Sequence, residues 1–329
     1  MSSRSAKLLY TIGCIGILLL SCAPKSAKVI GVAKFVSHWA LDAIEKGILD
    51  ELSASKPDYK VDLQNANADM NTAAQIAQHF KQEKVALAVG IATPMAQALA
   101  NQIKDRPVIY SAVTDPVAAD LVESIDKGGP NITGTSDMTP VREQLDLLCS
   151  LKPSIRRIGN IYASGEANSV ALAAIVREYC QEHSLEYVES TITNSSEARQ
   201  ALLSIAGRID GLYLGNDNTV FSALSGIAEV GIEKKIPIVT ADPSSAETIP
   251  VLAALGYDYY RMGVATGKIV ARILNGEKTA NIPAFLPKES EDMTFVLNLD
   301  TARKIGISVD QSIIDRAKVV ISDDQLVRK

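Results

Sequence analysis

Six short stretches concentrate small hydroxyl, amide and carboxylate side chains, each just after an apolar run. They are Gly90-Ile91-Ala92-Thr93-Pro94, Ser111-Ala112-Val113-Thr114-Asp115-Pro116 and Gly134-Thr135-Ser136-Asp137, then Tyr162-Ala163-Ser164-Gly165-Glu166-Ala167-Asn168, Gly215-Asn216-Asp217-Asn218-Thr219 and Ala241-Asp242-Pro243-Ser244. Such side chains make directional hydrogen bonds and carry little bulk. Gathered in one cleft, they hold a small polar molecule. One such loop is expected in any α/β protein; six polar, acid-rich ones argue for a hydrogen-bonding cleft. Capping of the helices that follow accounts for about half of these residues without any ligand.

Catalytic sets are absent from the sequence. It has no P-loop, no G-x-G-x-x-G, no H-E-x-x-H and no G-x-S-x-G. The three histidines, His38, His79 and His183, lack metal-ligand spacing. No cofactor is implied, and binding is favoured over catalysis.

The polar stretches need elements to position them. From Val29, β-type apolar runs alternate with helical patterns. The expected strands are Val29–Phe35, Lys60–Asn65, Val85–Gly90, Pro107–Ser111 and Ile132–Thr135. Helices fit between and after them at Leu41–Ser53, Thr72–Glu83, Pro94–Ile103 and Val117–Ser124. Ala86-Leu87-Ala88-Val89 is apolar on successive residues, which marks a strand covered on both faces of a parallel sheet. A second series has strands at Ile158–Tyr162, Glu186–Ser190, Gly211–Leu214 and Ile236–Thr240. Its helices are Val141–Leu151, Ser169–His183, Glu197–Ala206 and Val220–Val230. The fold class is therefore α/β, with two lobes, each a parallel sheet flanked by helices. In such sheets ligands bind outside the carboxyl ends of the strands, where the six stretches fall. The tail is less regular: an apolar run at Val251–Leu255, a helical pattern over Tyr257–Leu274, a strand at Phe295–Asn298 and helical patterns at Leu299–Lys304 and Gln311–Ala317.

With 329 residues, 47% of them hydrophobic, the chain is long enough for two packed cores. Its net charge of −5 gives no reason to expect nucleic acid as a partner. Arg4 and Lys7 precede an apolar run, Leu8 to Leu20, too short to span a bilayer comfortably. Leu19-Leu20-Ser21-Cys22 follows and resembles a bacterial lipoprotein processing site. On this reading residues 1–21 are a signal peptide, Cys22 is diacylated and residues 22–28 are a tether. Two acyl chains anchor a protein stably where one does not. The expected location is outside the cell membrane, held by lipid. The competing reading is an uncleaved N-terminal helix with an incidental cysteine. Cys149 and Cys180 both sit in helical patterns and read as buried free thiols.

Several stretches together carry a resemblance to one family. They are Phe35-Val36-Ser37-His38 with Leu41-Asp42, Ala92-Thr93-Pro94-Met95-Ala96-Gln97, Val113-Thr114-Asp115-Pro116-Val117 and Gly134-Thr135-Ser136-Asp137. Gly165-Glu166-Ala167-Asn168-Ser169, Asp217-Asn218-Thr219-Val220, Gly256-Tyr257-Asp258-Tyr259-Tyr260 and Gly263 continue the series. In order and spacing they resemble the tryptophan/tyrosine-type substrate-binding proteins of ABC transporters, from Val29 to about Lys288. The resemblance implies a two-lobed periplasmic-binding-protein fold, type I, with three hinge crossings. They would lie near Asp137–Thr139, Asp242–Val251 and Lys288–Thr294. The first lobe would comprise residues 29–138 and 251–290, and the second 139–250 and 291–329. The resemblance also implies a membrane permease and a cytosolic ATPase as partners, and an aromatic amino acid as ligand. The family usually has Pro after the first-lobe His, and this chain has Trp39.

On that resemblance, Thr93 and Ser164 would meet the ligand's carboxylate at helix N-termini. Asp137, Glu166, Asp217 and Asp242 are candidates for its ammonium. Asn168, Asn216 and Asn218 would complete the polar shell, with Thr114 and Asp115 beside it. Phe35, Trp39 and Tyr257 would wall an aromatic side chain. Asp115 and Asp242 each precede Pro and equally suit turn initiation. A nucleoside or branched-chain amino acid stays open as ligand. A ligand-sensing receptor of the same fold, a transcription regulator and an enzyme are the rival classes.

Overall fold

A computed structural model describes residues 28–287 and 292–329. The first lobe opens with β1 (Val29–Lys34), α1 (Trp39–Ser55), β2 (Lys60–Asn65), α2 (Met70–Gln82), β3 (Leu87–Ile91), α3 (Thr93–Gln102), β4 (Val108–Ser111) and β5 (Ile132–Gly134). Its strands pair in parallel in the order β2-β1-β3-β4-β5. All five residues of β3 are buried, as the unbroken apolar run requires of a central strand.

The second lobe holds α4 (Val141–Leu151), β6 (Arg157–Ala163), α5 (Ala167–Glu182), β7 (Glu186–Ile192), α6 (Ala198–Ile205) and β8 (Gly211–Leu214). It continues through α7 (Asn218–Phe221), α8 (Leu224–Lys234), β9 (Ile238–Thr240), α9 (Pro243–Ala246) and β10 (Ala253–Tyr257). The chain then crosses back: α10 (Tyr259–Leu274) lies on α1 of the first lobe. β11 (Met293–Asn298), β12 (Val319–Ser322) and β13 (Gln325–Arg328) finish the second sheet, ordered β13-β12-β11-β10-β9-β8-β6-β7.

That sheet is mixed where the sequence suggests parallel strands. β11 pairs antiparallel with β10, and β13 with β12. The first reversal follows from the crossings. β10 runs out of the sheet at the edge facing the other lobe. A strand that re-enters at the same edge must run the opposite way.

The return crossing also lies later than Asp242–Val251. Ala253–Tyr257 pairs with β9 and β11, so the chain stays in the second lobe through Tyr257. A short apolar run carries no mark of which core it fills. At the third crossing Phe285 still bridges Thr135 of the first lobe, and Met293 already belongs to the second. Residues 288–291, on which that expected crossing falls, lie outside the described residues, as does Cys22.

Two expected helices differ. Val117–Ser124 forms turns, because Asp120 adopts φ 57°, the left-handed region, and no helix continues through it. Val220–Val230 is divided into α7 and α8 around Ser222 and Ala223. Cys149 is half-buried, Cys180 buried, and both are free thiols. Among the described residues no helix is long and apolar enough to cross a membrane.

α1 buries Ala40, Leu41, Ile44, Gly47, Ile48 and Leu52, the spacing of one helical face. It meets α10 at close range. A Cβ on Gly47 would lie 2.3 Å from the Tyr260 carbonyl oxygen, and one on Gly263 would lie 2.2 Å from that of Ile44. Both helices begin at the gap between the lobes, so this contact sets where their first turns stand.

Candidate functional site

The strand tips of the two lobes face each other across a narrow cavity. From the first lobe His38, Ala40, Leu41, Thr93, Ala112 and Thr114 line it. From the second come Asn168, Asn216, Asp217, Asn218 and Phe221, and from the crossings Asp137 and Tyr259. The free space measures about 10 Å³, on the scale of one water molecule. An amino acid enters this gap only when the lobes part.

Local backbone shapes the first-lobe wall. Ala92 stands at φ 77° and ψ 156°, a region that glycine adopts freely and alanine does not. This turn, not Thr93, precedes α3; Thr93 is the first helical residue. Ala112, at the tip of β4, has φ 52°. Strain of this kind persists only where the surrounding fold over-determines it.

Asp137 sits at the join of the lobes. The Thr114 hydroxyl donates to its Oδ1 at 3.0 Å. Asn216 Nδ2 donates to its Oδ2 and to its main-chain oxygen, both at 2.9 Å. The Tyr259 hydroxyl lies 3.4 Å from its Oδ2. Burial outweighs these bonds and raises the carboxyl pKa to about 6.

His38 reaches across from the start of α1. Its Nε2 lies 3.5 Å from Asn218 Oδ1, and its ring meets Phe221 edge-on with centroids 5.8 Å apart. Burial lowers its pKa to about 4, so the ring is neutral at pH 7.

Asp217 is fully engaged by protein. Its Oδ1 accepts from Val220 N–H at 2.8 Å, and its Oδ2 from Ala163 N–H at 2.6 Å. Burial and the adjacent Glu166 charge raise its pKa. Glu166 takes N–H and hydroxyl of Thr219 on Oε1 and the Asn218 amide on Oε2. Among the described residues no group of three or more His, Cys, Asp or Glu is placed to hold a metal.

The structure thus brings Thr93, Thr114, Asp137, Asn168, Asn216, Asp217 and Asn218 to one cavity. The other sequence candidates lie elsewhere. Phe35 is in the first-lobe core. Trp39 points into solvent at 54% exposure. Asp115 caps the turn at Val117 and Ala118. Ser164 is exposed. Asp242 caps α9 through Ser244 and Ser245. Tyr257 is buried in β10, packed with the first-lobe core. Glu166 stands behind the wall, not on it. Sequence reasoning misses His38, Phe221 and Tyr259 as site residues. His38 follows a strand tip as Thr93 does, and Tyr259 follows the capping Asp258; those positions were the available signal.

Comparison with known proteins places this geometry in context. The family model described as ABC transporter substrate binding protein matches residues 29–321. A tyrosine-binding protein of Clostridioides difficile is 36% identical over 304 residues, covering 91% of this chain and 86% of that protein. A crystal structure of an ABC domain from Streptococcus pneumoniae in complex with L-Trp is 33% identical, with TM-score 0.85 over 90% of this chain and all of that one. A ligand-free, open substrate-binding protein from Clostridium difficile is 36% identical but has TM-score 0.64, over 86% and 96%. At nearly equal identity, the chain superposes more closely on the L-Trp complex than on the open form.

Proposed function

The chain belongs to the ABC transporter substrate-binding protein family, and from that premise we propose that it captures an aromatic amino acid between its lobes and presents it to a membrane permease served by a cytosolic ATPase. The observation that carries the reading is the convergence of buried polar groups from both lobes on one cavity. A zwitterion needs hydrogen-bond partners of both kinds once water is excluded. Thr93 and Thr114 offer hydroxyls from the first lobe, and the asparagines offer amides from the second. The tyrosine-binding relative and the L-Trp complex support an aromatic side chain. Phe221, Leu41 and Tyr259 are the walls available to it. Trp39 lies outside that set.

Capture here involves no chemical step. His38 stands against an amide and a phenyl ring, with no nucleophile in hydrogen-bond reach among the described residues. Export and a diacyl anchor at Cys22 complete the proposal, supported by the basic and apolar residues before that cysteine.

A thermal-shift screen of delipidated protein against the amino acids and nucleosides tests the ligand. L-Tryptophan or L-tyrosine at 100 times its Kd should add about 2.7 kcal/mol of stability. Small-angle scattering should show the particle contract in the same titration. A shift with a nucleoside and none with any aromatic amino acid removes the ligand assignment.

A further inference from the structure

Glu166 occupies the N-cap position of α5, yet its side chain accepts no N–H of that helix. Its Oε1 accepts from Thr219 N–H at 2.9 Å and from the Thr219 hydroxyl at 2.8 Å. Its Oε2 accepts from Asn218 Nδ2, from Asn218 N–H at 3.3 Å and from Asn168 Nδ2 at 3.4 Å. Five donors therefore converge on one buried carboxylate.

An amide has a donor end and an acceptor end, and a carboxylate oxygen accepts. Each asparagine that faces Glu166 must turn its NH2 group toward it. Asn168 Nδ2 is further held by the Asn216 carbonyl oxygen at 2.8 Å. The carbonyl ends are left on the other side. Asn218 Oδ1 takes His38 Nε2. Asn168 Oδ1 is buried with no partner among the described residues, and its residue is only 4% exposed. His38 Nδ1 is likewise buried without a partner among the described residues. With Nε2 donating to Asn218, Nδ1 of the neutral ring is an acceptor. Both residues line the same cavity, while Glu166 does not. A buried acceptor without a donor is costly, so unfilled ones mark where a ligand donor goes.

We propose that Glu166 is a positioning residue for ligand polarity: it turns the carbonyl ends of Asn168 and Asn218 away from itself, so that Asn168 Oδ1 and His38 Nδ1 receive the ligand's ammonium group. Glu166 acts through the amides and makes no contact with the ligand. This inference rests on the capture reading above and names the part of the ligand that the second-lobe wall recognises.

The test is calorimetric titration with L-tryptophan and with 3-indolepropionate, the same molecule without its amino group. The intact protein should prefer L-tryptophan by about 100-fold or more, because the deamino ligand leaves both acceptors unpaired. Glu166→Gln is isosteric but puts an NH2 group among the five donors, so at least one amide must reverse. The preference should then fall to about tenfold or less, with binding of 3-indolepropionate changed under about threefold. A Glu166 that merely supports the fold predicts equal weakening of both ligands; a preserved preference overturns the inference. Asn168→Leu keeps the carboxylate and deletes one acceptor, which covers the case of a misfolded Gln variant. It should lower the preference too, and full discrimination in that variant also overturns the inference. L-Tryptophan binding with unaltered preference leaves the capture reading standing and removes this one alone. Where the intact protein binds L-tyrosine and not L-tryptophan, the same comparison is made with L-tyrosine and 3-(4-hydroxyphenyl)propionate; an intact protein that binds no aromatic amino acid removes both readings.

Discussion

Asp137 shows how one residue ties the join of the lobes to pH. Its pKa is near 6 in the folded protein, against 3.8 for the free carboxyl, because burial outweighs the bonds from Thr114, Asn216 and Tyr259. A group whose pKa rises on folding contributes stability below its unfolded pKa, and that contribution is lost as pH rises through the folded value. Burial raises Asp217 and Asp242 as well, so a pH scan of the native protein mixes all three. Asp137→Asn isolates one of them. Between pH 4 and pH 7.5 the variant should gain about 2 kcal/mol relative to the native protein in urea unfolding. A difference that does not vary with pH would place the Asp137 carboxyl in a better-solvated setting. The same residue scale explains the unevenness of the sequence candidates. Asp115, Asp242 and Asp217 all cap backbone N–H groups, the chemistry a ligand carboxylate or amide also uses. Only Asp217 does so while lining the cavity. Composition alone does not separate a cap from a contact.

The first turns of α1 and α10 carry His38 and Tyr259 to the cleft, and the glycine contact between these helices sets their spacing. Gly263→Ala should force the helices apart, since the added methyl would overlap the Ile44 backbone. Overpacking of this kind costs about 1–3 kcal/mol, more than the gain in helix propensity returns. A methyl group added at Gly226, in α8, would meet nothing within 4 Å. Gly226→Ala should therefore stabilise by about 0.5 kcal/mol, through the unfolded chain. Urea midpoints of the two variants should move in opposite directions; a neutral Gly263→Ala would mean the contact yields. In sequence both glycines look alike, as weak points in helical patterns. Strand and helix alternation was legible because parallel strands buried on both faces are apolar at every residue. The turns after Pro116 were not, since Asp120's left-handed backbone leaves no mark in the hydrophobic pattern.

At the scale of the whole molecule, membrane attachment turns on Cys22. If the chain is processed and diacylated there, Cys22→Ala should move most of the protein from the membrane fraction to the soluble one, read by immunoblot after fractionation. Retention in membranes would favour an uncleaved helix. The sequence by itself determined the α/β class, the two lobes and the family, because these rest on local periodicity and on ordered motifs along the chain. It also named seven residues that line the cavity, since carboxyl ends of parallel strands are a topological position that reading order reveals. Only the tertiary structure decided that β10 lies in the second sheet between β9 and β11, that β11 runs against it, and that Trp39 faces solvent while His38 faces Asn218. Those outcomes depend on which surfaces meet after the chain has crossed between lobes, and contacts 180 residues apart leave no periodic trace.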